Sequence, residues 1–171
     1  MSKLTAILTI VLLAVFTRLD AEQIKHPKSK PAFTITIPDD WKAQWDEKGN
    51  LNCSNPDSSE HFSIIPVGKN KTWEYLKDYL PRTARESGQD WKFQDLKVSE
   101  LEEATTPRKL QLLRISTHGT RKGAKTIIKT VAFKVNAEKF FVVLSMGPDN
   151  EEFPAKVDTA IASITPLAAA D

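Results

Sequence analysis

The sequence predicts an α+β domain: an antiparallel β-sheet flanked by helices on both faces. Two observations lead there. Runs in which apolar and β-branched residues alternate with period two fall into two groups, one before and one after an amphipathic stretch at residues 72–88, and both groups are joined by short turns. A second amphipathic stretch closes the chain. Short connections pair neighbouring strands antiparallel, and a sheet built that way can carry a helix on each side. The composition fits one such domain. The 171 residues are 40% hydrophobic and 27% charged, and 24 Lys and Arg against 22 Asp and Glu leave a net charge of +2. That balance lacks the basic footprint of a nucleic-acid binder, and a single Cys excludes both a disulfide-built fold and a Cys-rich zinc module.

Residues 1–21 read as a secretory signal peptide. Lys3 precedes an apolar run over residues 4–16, Arg18 and Asp20 close it, and cleavage is expected after Ala21. The run is shorter than the roughly 20 residues of a spanning helix, so no membrane span is expected once it is removed. Retention as an N-terminal anchor is the alternative. No Cys stands near the end of the run to take a lipid, since Cys53 comes too late. Cleavage leaves about 150 residues, enough to bury a core without staples. The expected location is secreted or periplasmic, and in that oxidising setting Cys53 is expected to be buried, because Leu51 and Cys53 alternate with polar neighbours as one strand face does.

The mature chain is expected to open with a flexible arm at residues 22–32, a polar segment with His26, Pro27, Lys28, Lys30 and Pro31. Residues 33–37 then form a half-buried strand ended by Pro38-Asp39-Asp40. Residues 41–46, with Trp41, Ala43 and Trp45 on one face, return as its hairpin partner. Lys48-Gly49-Asn50 turns the chain into a short strand at 51–54, and residues 61–67 resume the alternation with Phe62 and Ile64 opposed to His61, Ser63 and Ile65. Thr72 is the expected N-cap of the first helix, with Glu74 near its positive end and a stripe of Trp73, Leu76, Leu80 and Ala84. Pro81 is expected to kink or split it, and Gly88 to close it in the left-handed conformation.

Residues 91–106 read as a bulged strand. A hairpin over 109–119 and 126–135 turns through a loop at 119–123. Residues 139–146 hold Phe140, Phe141, Val142, Val143 and Leu144 in succession, the mark of a central strand covered on both sides. Asp149 and Glu152 have capping-box spacing for the last helix, whose stripe is Phe153, Val157, Ala160, Ile161 and Ile164. Pro166 ends that helix. The domain therefore spans residues 33–167, with a tail at 168–171.

The opening Phe-Thr-Ile-Thr-Ile-Pro-Asp-Asp-Trp at residues 33–41, the helix start at Thr72-Trp73, the 139–146 strand and the closing helix together resemble the PsbP-like superfamily. That group includes the photosystem extrinsic protein PsbP, the Ran-release factor Mog and bacterial envelope proteins of the DcrB type. The resemblance covers nearly the whole mature chain. It implies an α/β/α sandwich and a non-enzymatic binding or accessory role. It carries over no metal-ligand or partner-binding motif, and fold by itself does not fix function.

Chemistry-bearing motifs are sparse. His26, His61 and His118 stand singly, outside the paired spacing of zinc ligands, so no metal and no cofactor are expected. Cys53 lies in Leu-Asn-Cys-Ser-Asn with no local base to activate it, and no Gly-x-Ser-x-Gly elbow or phosphate-cradling glycine loop occurs. No catalytic residue is assigned. Two features carry binding candidates. Arg121, Lys122 and Lys125 form a basic hairpin tip able to touch an acidic protein or anionic envelope surface, or simply to solubilise an edge. Among the four Trp, Trp45 and Trp91 are candidates for lining a ligand cleft between helix and sheet, or else they fill core. The expected function is a secreted or periplasmic, non-catalytic binding or accessory domain whose partner is a protein or envelope component. One alternative is a small-ligand or lipid carrier using the aromatic cleft. Another is a hydrolase whose site assembles only in three dimensions from His61, His118, Cys53 and a carboxylate.

Overall fold

The computed structural model describes residues 22–168. The signal peptide expected at residues 1–21, with its cleavage site, lies outside the described residues. In chain order the elements are β1 (Gln23–His26), β2 (Phe33–Thr36), β3 (Lys42–Trp45), β4 (Leu51–Ser54), β5 (His61–Pro66), α1 (Trp73–Asp90), β6 (Gln94–Val98), β7 (Glu102–Thr105), β8 (Gln111–Arg121), β9 (Ala124–Lys134), β10 (Phe140–Pro148), α2 (Glu152–Ser163) and β11 (Thr165–Pro166). Eight strands make the larger sheet, in the order β3-β4-β5-β10-β9-β8-β6, with β7 sharing the β8 edge. A smaller sheet runs β1-β2-β11. The fold is α+β, antiparallel in the pairings on both sheets and dominated by strands.

The alternation along the central strands decides what covers each face. Leu113, Ile115, Ala132, Phe140 and Val142 pack with Leu76, Leu80 and Ala84 of α1. Their neighbours Leu112, Val131, Phe133, Phe141 and Val143 pack with Val157, Ala160 and Ile161 of α2 and with Ile24, Phe33 and Ile35 of the smaller sheet. Both sets are buried because β8, β9 and β10 are long, central and apolar on both sides. The second face differs from the expected helix layer: α2 shares it with a three-stranded sheet.

That smaller sheet corrects two expectations. Residues 22–32 are not simply an arm, since β1 pairs along β2 from Gln23↔Thr36 to His26↔Phe33 and buries Ile24 and His26. Nor does β2 form a hairpin with the next strand. It lies between β1 and β11, while β3 pairs β4 in the other sheet, with Trp45 opposite Leu51. The chain changes sheets at Pro38-Asp39-Asp40, where the Trp41 amide donates to the Pro38 carbonyl at 3.0 Å and the Trp41 ring meets Phe62 at 5.4 Å. Phe33, Thr34 and Ile35 are consequently all buried, where period two predicted only one buried face. Pro166, expected as a stop, belongs to β11, and Leu167 continues it by donating to the Ala32 carbonyl at 2.8 Å.

The helices keep their stripes but not all of their predicted ends. Thr72 Oγ1 accepts the Tyr75 amide at 3.1 Å, the capping that the sequence predicts. Helix α1 then runs unbroken through Pro81, because Leu76, Leu80 and Ala84 on either side are fully buried against the sheet and hold it there despite one missing hydrogen bond. Gly88 lies inside the helix. A Cβ on it would stand 2.2 Å from Leu96 Cδ1, so Gly88 serves close approach rather than a terminal turn. For α2 the cap passes to a neighbour: Asn150 Oδ1 accepts the Phe153 amide at 3.0 Å, while Asp149 is engaged by His118 Nδ1 at 2.9 Å. The segment 91–106 divides into β6 and β7, with the expected register shift between Gln94 and Lys97. The β8–β9 loop shrinks to two residues, Lys122 at φ 50 and Gly123 at φ 81, a tight turn whose twist suits long antiparallel strands.

Candidate functional site

The basic tip and one of the tryptophans come together. Helix α1 ends where the Trp91 amide donates to the Ser87 carbonyl and Lys92 takes a left-handed φ of 57. That leaves Trp91 37% accessible, the one large exposed hydrophobic side chain among the described residues. Arg121, the last residue of β8, lays its guanidinium 4.7 Å from the Trp91 ring centre. His61, at the start of β5, places its ring 6.1 Å away. Burial, and then the nearby Arg121 charge, hold the His61 imidazole below its ordinary range. Gly119 makes the approach possible, because a Cβ there would sit 2.8 Å from the Gln94 carbonyl oxygen and 2.8 Å from Phe93 Cδ2. Lys122 and Lys125 extend from the same hairpin, both exposed.

Trp45 is elsewhere. It ends β3 on the face that packs against α2 and the smaller sheet, with Lys28 Nζ 5.5 Å from its ring centre and its Nε1 buried without a partner among the described residues. His61 alternates with the core residue Phe62, so Trp91 lies on the opposite face. The two tryptophans therefore do not line one cleft.

Cys53, His61 and His118 do not converge. Cys53 is buried and its thiol is pushed up to about 12 by burial, with Glu22 adding to the rise. His61 points to the other face of the same sheet, and β10 and β9 separate its strand from that of His118. No group of three His, Cys, Asp or Glu side chains able to hold a metal ion occurs among the described residues.

A cleft between helix and sheet does exist, at the other end of α1. A cavity of about 230 Å³ opens under that helix between Tyr75, Tyr79 and Thr83 on one side and Ile65, Val142 and Leu144 on the other. Tyr75 and Tyr79, one turn apart, stack with ring centres 5.4 Å apart, and Lys71 Nζ stands 4.0 Å over Tyr75. Beside it lies an open bay of about 770 Å³ with Lys30, Lys69, Lys71 and Lys139 at its walls. The two share Pro66, Val67 and Lys71. Sequence reasoning missed this region. The tyrosines flank the predicted stripe at i and i+4, a signal that was present. The lysines come from three separate polar segments that only folding assembles.

No family model matches the chain, and no curated protein matches it. Solved structures do. LpqN, described as involved in cell envelope biogenesis of Mycobacterium tuberculosis, is 12% identical with a TM-score of 0.57 over 86% of this chain and 90% of its own. A protein from Bacteroides thetaiotaomicron VPI-5482 is 13% identical with a TM-score of 0.54 over 80% of this chain. This chain spans 45% of the length of that Bacteroides protein. At these identities the likeness is one of fold alone, and that fold is consistent with the PsbP-like or DcrB-type resemblance of the sequence. No helix among the described residues is long and apolar enough to cross a membrane.

Proposed function

We propose that this chain is an exported accessory domain of the cell envelope that binds an acidic protein surface without catalysis, through the tip formed by Trp91, Arg121, Lys122 and Lys125. The observation that carries the reading is the braced exposure of Trp91 between Arg121 and His61. Trp and Arg are the residues that dominate binding energies at protein interfaces, and a ring already fixed by its neighbours loses little freedom on docking. The lysines beyond it favour an acidic partner and would speed encounter more than they hold it. The envelope role described for LpqN and the leader-like first 21 residues support the location. The test is photo-crosslinking from position 124, an exposed residue of the same hairpin, in the native host. A partner captured by the natural chain should be lost when Trp91→Ala is combined with Arg121→Glu, with the melting temperature little changed. Recovery of the same partner after charge reversal at Arg121, Lys122 and Lys125 would overturn the reading.

A second reading, a carrier of a small apolar ligand, is favoured by one observation: the preformed cavity under α1 with its stacked tyrosines.

A further inference from the structure

We propose that the slot under α1 and the adjoining lysine bay form a single site for a single-chain anionic amphiphile, with the chain lying in the slot and the anionic head held in the bay. The inference rests on the carrier reading and gives it a ligand class. Apart from Lys71 and Thr83 the slot walls are apolar or aromatic, and the slot's outer end, at Pro66, Val67 and Lys71, is also a wall of the bay. A ligand filling both must therefore change from apolar to polar at that boundary.

The charge of the polar end follows from the bay. Four lysines surround it, Lys30, Lys69, Lys71 and Lys139, against one carboxylate, Glu138. None of the four forms an ion pair among the described residues, whereas Lys77, Lys129 and Lys156 do. They come from three segments of the chain, before β2, before α1 and just before β10, so only the fold gathers them. Like charges gathered without counter-charges repel, and an anion relieves that repulsion. Lysine ammonium groups act as flexible point charges without the fixed fork of arginine, which suits carboxylate, phosphate or sulfate heads alike. Lys71 marks the junction, its ammonium over the Tyr75 ring and its side chain on both cavities.

The experiment titrates the chain lacking residues 1–21 calorimetrically with decanoate below its micelle concentration, and separately with 1-decanol, its uncharged counterpart. Decanoate should bind, more weakly as salt rises. Replacing Lys69, Lys71 and Lys139 together by Ala should weaken it about tenfold or more, while the same variant binds 1-decanol as before. Leu144→Phe, or Ile65→Phe if the first does not fold, fills the slot and should abolish binding of both. Equal affinity for decanoate and 1-decanol, unaffected by the lysine replacements, would overturn the anionic head while leaving the carrier reading in place. Binding of neither probe would overturn both. Decanoate binding indifferent to the slot-filling variants would overturn the proposed site.

Discussion

His26 is held between two aromatic rings, 5.4 Å from Phe33 and 5.7 Å from Phe141, and neither of its ring nitrogens finds a hydrogen-bond partner among the described residues. Burial lowers its pKa to about 4 from an ordinary 6.5. The unfolded chain then binds more protons than the folded one between these values. Stability from this group is whole above pH 6.5, falls as pH drops from 6.5 toward 4, and falls no further below that. Within the window the slope reaches about 1.4 kcal/mol per pH unit. His61, lowered for the same reason, adds in the same direction. Denaturant unfolding of His26→Leu across this range should show a flatter pH dependence than the natural chain; an unchanged slope would mean that the imidazole is not held neutral. The sequence placed this histidine in a polar segment, and nothing local marks it as buried. Cys53 is the contrasting case: its alternation with Asn52 and Ser54 predicts burial, and the predicted face is the one covered.

Among the elements, α2 shows how close the layers approach. Gly147 in β10 faces Phe153, and a Cβ there would stand 2.7 Å from two carbons of a fully buried ring. Gly147→Ala should therefore cost about 1–3 kcal/mol through overpacking. Gly68→Ala is the control, since nothing lies within 4 Å of its added methyl and its backbone is not left-handed. Equal stability of the two variants in chemical denaturation would contradict this packing. The stripe of α2 was legible, and so were Thr72 as a cap and both faces of β10, because these signals are local and repeat with the period of the element. The α2 cap was not: Asp149 and Asn150 are both good capping residues, and the choice fell to His118, an approach from a distant strand. Pro81 was misread for a related reason, since its local cost is set against buried contacts that the helix makes only once it is on the sheet.

At the scale of the molecule, the smaller sheet seals one face of the larger. Residues 22–31 supply its first strand, so a chain beginning at residue 32 would expose Phe33 and Phe141 and lose the cover of Ile24. Such a chain should melt at a lower temperature and bind more of a hydrophobic dye such as ANS than one beginning at residue 22. Identical melting of the two would return the segment to the role of an arm. The sequence by itself determined the α+β class, the two helices and their buried stripes, most strand positions and the central place of β10, all of which follow from hydrophobic period and turn chemistry over neighbouring residues. The tertiary structure decided which strands pair, what shares a face with α2, and which side chains meet. Pairing partners and converging lysines lie tens of residues apart in the chain, and no local period records a contact between segments that are neighbours only in space.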